Sequence, residues 1–171
     1  MFSQILEKRK DKAGAVFDRT GQYRYLLFRE FEKGEGTVAF VMLNPHRADE
    51  TKNDPTITRC ARFAQDWGFA RLEVTNLFAL CARTPREFLL ADDPVGNLNE
   101  SYLHRSLSSV DQIIIAWGNY GGYLNRSREF LELAASYKTR LYCLAKNKSG
   151  EPKHPLYVSK RTRPKEYFTG V

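Results

Sequence analysis

The run Thr-Val-Ala-Phe-Val-Met-Leu at residues 37–43 constrains the fold more than any other stretch of the chain. A strand with one wet face alternates apolar and polar residues; an unbroken run suits a strand covered on both faces, as in parallel sheets flanked by helices. It is far too short to span a bilayer, as is 113–117. Residues 71–76, 111–117 and 139–144 read as further strands, and the aromatic, partly alternating 23–31 as another. Between them lie helical signals. Asp54 is placed to cap a helix with Pro55 at its first position, Ile57, Cys60, Ala61, Ala64 and Trp67 recur at helical spacing, and Gly68 marks the stop. Thr84-Pro85-Arg86-Glu87 reads as a capping box, and helices are expected near 98–107 and 124–136. Glycines 34 and 36 mark a turn before the central strand.

This alternation predicts an α/β fold: a single-domain three-layer sandwich over residues 1–171, with a mostly parallel central sheet and helices on both faces. Residues 1–20 read as an N-terminal segment and 159–171 as a basic C-terminal tail. A chain of 171 residues suits one domain, and 42% apolar residues with mixed charge suit a globular protein. The N-terminus has charges after only a few apolar residues and lacks the pattern of a signal peptide, so a cytoplasmic address is expected.

Three cysteines, Cys60, Cys81 and Cys143, form no CxxC, and His46, His104 and His154 do not combine with them at zinc-ligand spacing. No metal and no cofactor are expected. Cys60 and Cys81 read as packed thiols. The net charge of +7, from 27 Lys plus Arg against 20 Asp plus Glu, points to a polyanionic partner such as nucleic acid or a nucleotide; ordinary solubility charge explains it equally well. Lys146, Lys148, Lys153, Lys160, Arg161, Arg163 and Lys165 crowd the C-terminal quarter and flank the segment Gly-Glu-Pro-Lys-His-Pro-Leu-Tyr at 150–157. That segment reads as an active-site loop with His154 its working side chain.

In open α/β sheets the ligand sits outside the carboxyl ends of the strands. Four polar sequences fall there: Asn44-Pro45-His46, Asn76-Leu77-Phe78, Trp117-Gly118-Asn119 and the loop 146–154. Each has a plain structural reading as turn, cap, core residue or exposed loop; their succession at strand ends favours one shared cleft.

The segments MLNPHRADETKNDPTITRCARFAQDWGF, VTNLFALCARTP, DDPVGNLN, IIIAWGNYG and GEPKHPLYV resemble the bacterial domain-of-unknown-function family 1643, over roughly residues 23–158. His46 departs from that pattern, where a small residue follows the Asn-Pro pair. The same series is more distantly similar to the uracil-DNA glycosylase superfamily. Met42-Leu43-Asn44-Pro45 resembles its water-positioning motif without the glycine, Thr75-Asn76-Leu77 its base-reading strand end, Arg83-Thr84-Pro85 an Arg-x-Pro stretch, Trp117-Gly118 a late strand end, and His154-Pro155-Leu156-Tyr157 its final loop. This resemblance implies a uracil-DNA-glycosylase-like fold and a protein that binds a nucleobase in DNA or a nucleotide, or hydrolyses its N-glycosidic bond. A non-catalytic nucleic-acid-binding module and an enzyme of free nucleotides or nucleosides are the alternatives.

Cleaving such a bond leaves negative charge on the departing base. His154 fits the preorganised donor for that charge. Asn44 fits a water holder, and Asn76, with acceptor and donor in one amide, a base reader. Flipping a base from duplex DNA costs about a few kcal/mol, and Phe78, Trp117 and Tyr157 are candidates to stack on it. Lys146, Lys148, Lys153, Lys160 and Arg161 would hold phosphates. Asn44 cannot serve as a general base, so Asp49 or Asp54 is the nearest carboxylate source. Arg59, one turn into the first helix, is expected to pair with Asp49 or Asp54 or to meet a phosphate. Arg126 and Arg128 read as a solvated helix start.

Overall fold

The computed structural model describes residues 5–46 and 48–167. Among these residues eight strands form one sheet: β1 (Ile5–Lys10), β2 (Ala13–Asp18), β3 (Arg24–Glu30), β4 (Thr37–Met42), β5 (Arg71–Asn76), β6 (Gln112–Ile115), β7 (Leu141–Cys143) and β8 (Lys165–Glu166). Their spatial order is β1-β2-β3-β5-β4-β6-β7-β8. The helices are α1 (Pro55–Asp66), α2 (Pro85–Leu89), α3 (Asn99–Ser109) and α4 (Arg126–Ser136).

The expected mostly parallel sheet is corrected by the pairing. The pairs β5–β4, β4–β6 and β6–β7 are parallel. The pairs β1–β2, β2–β3, β3–β5 and β7–β8 are antiparallel. The sheet is therefore mixed, with antiparallel pairings in the majority and a parallel set of four at its centre. Part of its antiparallel share comes from segments not expected as strands. Residues 5–18, expected as an N-terminal segment, form the β1–β2 hairpin, and β1 (ILEKRK) is exposed along almost its whole length. Charged residues on such an edge discourage pairing with another chain. The tail after 159 contributes β8.

The central strand β4 does what its run of apolar residues dictates. Val38, Phe40 and Met42 face one side and pack with Ile57, Cys60, Phe63 and Ala64 of α1. Ala39 and Val41 face the other and join Phe88, Leu103, Leu107 and Phe130 of α2, α3 and α4. Helices thus cover both faces. Helix α1 begins as read: the Asp54 carboxylate accepts the Ile57 N–H at 2.8 Å, with Pro55 at the first position. It ends at Asp66 with Trp67 as cap, and Gly68 follows with a φ of +86°, in the left-handed region that glycine adopts freely. At α2 the Thr84 hydroxyl accepts from Glu87 N–H, while the Glu87 carboxylate takes the Arg83 N–H rather than that of the cap residue. Residues 119–125 form tight 3-10 turns, so α4 starts at Arg126.

Among the described residues no helix is long and apolar enough to cross a membrane.

Candidate functional site

Because β5, β4, β6 and β7 are parallel, their carboxyl ends open on one edge of the sheet, and a cleft of about 550 Å³ lies there. That volume suits a small organic ligand. Asn76 reaches it from the end of β5, Asn44 and His46 from the loop after β4, and Trp117, Gly118 and Asn119 from the segment after β6. His154, Tyr157 and Asn147 come from the chain after β7, and Asp54 and Ile57 from the start of α1. The structure therefore brings Asn44, Asn76, Trp117, His154, Tyr157 and Asp54 to one cavity.

The loops that carry these groups are tied to one another. Trp117 is buried and its indole N–H donates to the Glu151 carboxylate, which also accepts from the Ser127 hydroxyl. The Gly118 N–H donates to Pro152 O at 2.9 Å, and the Asn119 side-chain oxygen accepts from the Asn147 amide and the Ser149 hydroxyl. A Cβ on Gly121 would collide with the Trp117 ring, so glycine is required where that turn crosses the indole. Arg59 holds the far end of the loop: its guanidinium donates to Val158 O at 3.0 Å. This replaces the expected pairing with Asp49 or Asp54, and Arg59 does not line the cleft.

His154 is half-buried, and its Nδ1 accepts the Leu156 N–H at 3.2 Å. A nitrogen that accepts carries no proton, so in the neutral ring the proton sits on Nε2, the other ring position. Burial pushes the His154 pKa below its ordinary value, opposed in part by the negative charge of Asp54. The residue is thus a neutral N–H donor at physiological pH. Asn44 donates its amide N–H to Pro45 O and more weakly to Ala82 O, leaving its oxygen as the available acceptor. Asn76 is 1% exposed, and its amide nitrogen has no partner among the described residues. Its backbone is fixed by the Asn99 amide, which donates to the carbonyls of residues 76 and 77, and by Arg126, which donates to Leu77 O. Arg126 is accordingly buried, held also by Glu100 and Glu129, and not the solvated helix start expected; Arg128 is exposed and pairs with Glu132.

Other expected site residues lie elsewhere. Phe78 is fully buried against Phe88 and Tyr123, because the chain turns inward after Asn76 and the Phe78 N–H donates to Leu43 O. Asp49 spends its carboxylate on the N–H groups of Thr51 and Lys52 inside its own loop and does not reach the cleft. Asp54 both caps α1 and lines the cavity. Lys146, Lys148, Lys160 and Arg161 are exposed outside the cleft, with the Lys146 ammonium over the Tyr167 ring. Lys153 lines a neighbouring groove with Arg163 and Lys165. Tyr157, 73% exposed, borders both cavities. His46 stands in the cleft wall with its Nε2 3.0 Å from Arg83 O. Cys60 is a buried thiol whose pKa burial raises. Among the described residues no three His, Cys, Asp or Glu side chains gather as a metal-ligand group.

Sequence reasoning missed Arg24. It opens β3, is 2% exposed and lines the cleft. Among the described residues its side chain makes one hydrogen bond, from Nη1 to Ala48 O at 2.6 Å, and Nε is buried without a partner. The available signal was a lone charge inside the aromatic run Tyr-Arg-Tyr-Leu-Leu-Phe.

These features define a class: an open mixed α/β sheet with a polar cleft across the carboxyl ends of its parallel strands. Within that class, the chain belongs to a family described as Protein of unknown function (DUF1643), whose model matches residues 24–156 and so spans the cleft from Arg24 to His154. No curated protein and no solved structure matches it.

Proposed function

We propose that this cleft binds a nucleobase-bearing ligand, in DNA or as a nucleotide, and that it hydrolyses the N-glycosidic bond in the manner of a uracil-DNA-glycosylase-like protein. The observation that carries the reading is the tautomer of His154. A neutral Nε2–H, oriented by a backbone N–H on Nδ1, is suited to donate a hydrogen bond to a base departing as an anion, and a neutral imidazole keeps that proton as it does so. Asn44, whose side-chain oxygen meets no donor among the described residues, holds the attacking water. Asn76 reads the base edge with its unpartnered amide N–H. Asp54 lies in the same cavity and one of its oxygens is committed to the helix cap; the other meets no donor among the described residues and polarises the water. Tyr157 stacks at the mouth, and Lys153, Arg163 and Lys165 in the groove beyond it hold backbone phosphates.

Oligonucleotides carrying uracil, hypoxanthine and other altered bases test this. Alkali-labile sites are expected with the wild type and should fall by about 10²-fold or more in His154→Ala, the magnitude typical of losing one preorganised donor. Absence of base release across DNA and free nucleosides defeats the hydrolytic reading. A second reading, a binding module without chemistry, is favoured by the lack of a carboxylate on the Asn44 motif itself; it predicts salt-dependent DNA binding with no base release.

A further inference from the structure

The β3 side of the cleft carries a buried arginine that the proposed chemistry does not use. A guanidinium carries five N–H donors in a fixed fork suited to two-pronged bonds with oxyanions. Among the described residues one donor of Arg24 is used, on the Ala48 carbonyl, and Nε meets no acceptor. Among the described residues no carboxylate comes within ion-pair distance of it. Asp54 acts on Arg24 only through space, and burial lowers the Arg24 pKa to about 10, so it remains a cation at neutral pH. A cation held this far from water calls for a counter-charge. The open side of Arg24 is the cleft. Arg24 also lies at the cleft's flank: β3 neighbours β5, and β6 is two strands further on, so Arg24 and Trp117 are separated by roughly 14 Å of sheet at the usual strand spacing.

We propose that the β3 end of the cleft is an oxyanion subsite, in which Arg24 holds a terminal phosphate monoester or carboxylate of the ligand. A phosphodiester inside a nucleic acid is flanked by chain on both sides and stays at the mouth; an end group can reach a residue this deep. The subsite therefore narrows the ligand to one ending in an oxyanion, a free nucleotide in preference to a base within a DNA strand. It rests on the nucleobase reading only for the source of the oxyanion.

The test uses the full chain. Thermal melting is followed in inorganic phosphate, in malonate and in chloride at constant ionic strength, for the wild type, Arg24→Met and Arg24→Lys. Calorimetry compares nucleosides with their 5′-monophosphates. Phosphate is expected to raise the wild-type Tm and to leave Arg24→Met unchanged, and a 5′-monophosphate to bind at least about tenfold more tightly than its nucleoside, about the 1.4 kcal/mol of a tenfold affinity ratio. That ratio should collapse in Arg24→Met, or in Arg24→Lys if the methionine variant does not fold, and persist in Arg62→Ala/Arg128→Ala, which removes two exposed helix arginines away from the cleft. Malonate acting where phosphate does not assigns the subsite to a carboxylate. If neither anion stabilises the wild type, the subsite is overturned. Equal binding of nucleoside and monophosphate overturns it as a phosphate site while leaving the nucleobase cleft intact. Arg24-dependent anion stabilisation with no affinity for any nucleoside or nucleotide upholds the subsite and defeats the nucleobase reading.

Discussion

Strand β3 carries two buried arginines, Arg24 at its start and Arg29 near its end, and they are used in opposite ways. Arg29 is 6% exposed. Its Nε donates to the Asn53 side-chain oxygen at 2.8 Å, Nη1 to Phe28 O at 2.8 Å, and Nη2 to Asp49 O at 2.7 Å and Lys52 O at 3.2 Å. The irregular loop at 49–53 thus gets the donors that its carbonyls cannot find within a helix or sheet. Arg24 makes one such bond and faces a cavity. Burial of a cation is common to both. What separates a structural arginine from a ligand-binding one is whether the protein supplies its acceptors.

Removing each side chain in turn separates the two roles. Arg29→Met strands several buried carbonyls and should cost about 3 kcal/mol, measured as a fall in urea midpoint at unchanged slope. Arg24→Met strands one and should cost about 1 kcal/mol. Equal costs would make Arg24 a structural residue and remove its claim on a ligand. A second matched cluster sharpens the point. Glu73 on β5, 2% exposed, accepts from Arg71 at 2.9 Å and from both terminal nitrogens of Arg105 at 2.7 and 3.1 Å. Glu73→Gln should cost about 2 kcal/mol, less than a fully buried pair because Arg105 is nearly half exposed. It should leave ligand affinity unchanged, since the cluster is remote from the cleft lining.

What the sequence disclosed follows the same division between matched and unmatched groups. The run in β4 and the caps of α1 were legible because burial on both faces and helix ends each leave a local pattern. Strand β3 was legible too, but the β1–β2 hairpin beside it was not, since β1 is a charged edge strand with water on most of its residues and has no apolar alternation to read. The convergence of Asn44, Asn76, Trp117 and His154 was legible because parallel strands end on the same edge. Phe78 was misread, since two residues decide whether a chain leaving a strand turns toward the cleft or the core. Arg24 and Arg126 were missed for one reason: a sequence counts charges but does not say which of them are buried, and burial is what gives both their roles.

A smaller effect tests whether matched bonds hold the unmatched donors in place. Glu151 receives the Trp117 indole and the Ser127 hydroxyl, and it couples the chain after β6 to the loop that carries His154. Glu151→Gln keeps the shape but replaces a charge-assisted bond with a neutral one, at a cost of about 1 kcal/mol. Amide exchange should quicken in residues 146–157 before it does in the strands of the core. Unchanged exchange there would mean that the loop is held by its backbone bonds alone.

The smallest expected effect concerns protons. His154 accepts the Leu156 N–H on Nδ1, and protonating that nitrogen would set two donors against each other. Burial, the larger influence, lowers the folded-state pKa below the ordinary value near 6.5, and the charge of Asp54 only partly restores it. Above pH 7.5 the ring is neutral in both folded and unfolded chains and contributes no pH dependence. As pH falls through the unfolded value, the unfolded chain takes up the proton first, so folding loses stability until the lowered folded-state pKa is passed. Wild type should therefore weaken relative to His154→Gln as pH falls from about 7.5 into the acid range, where the unfolded histidine titrates near its ordinary value. A stability difference that stays constant between pH 5 and 8 would show that the ring titrates alike in both states, and the neutral donor at the centre of the proposed chemistry would be lost with it.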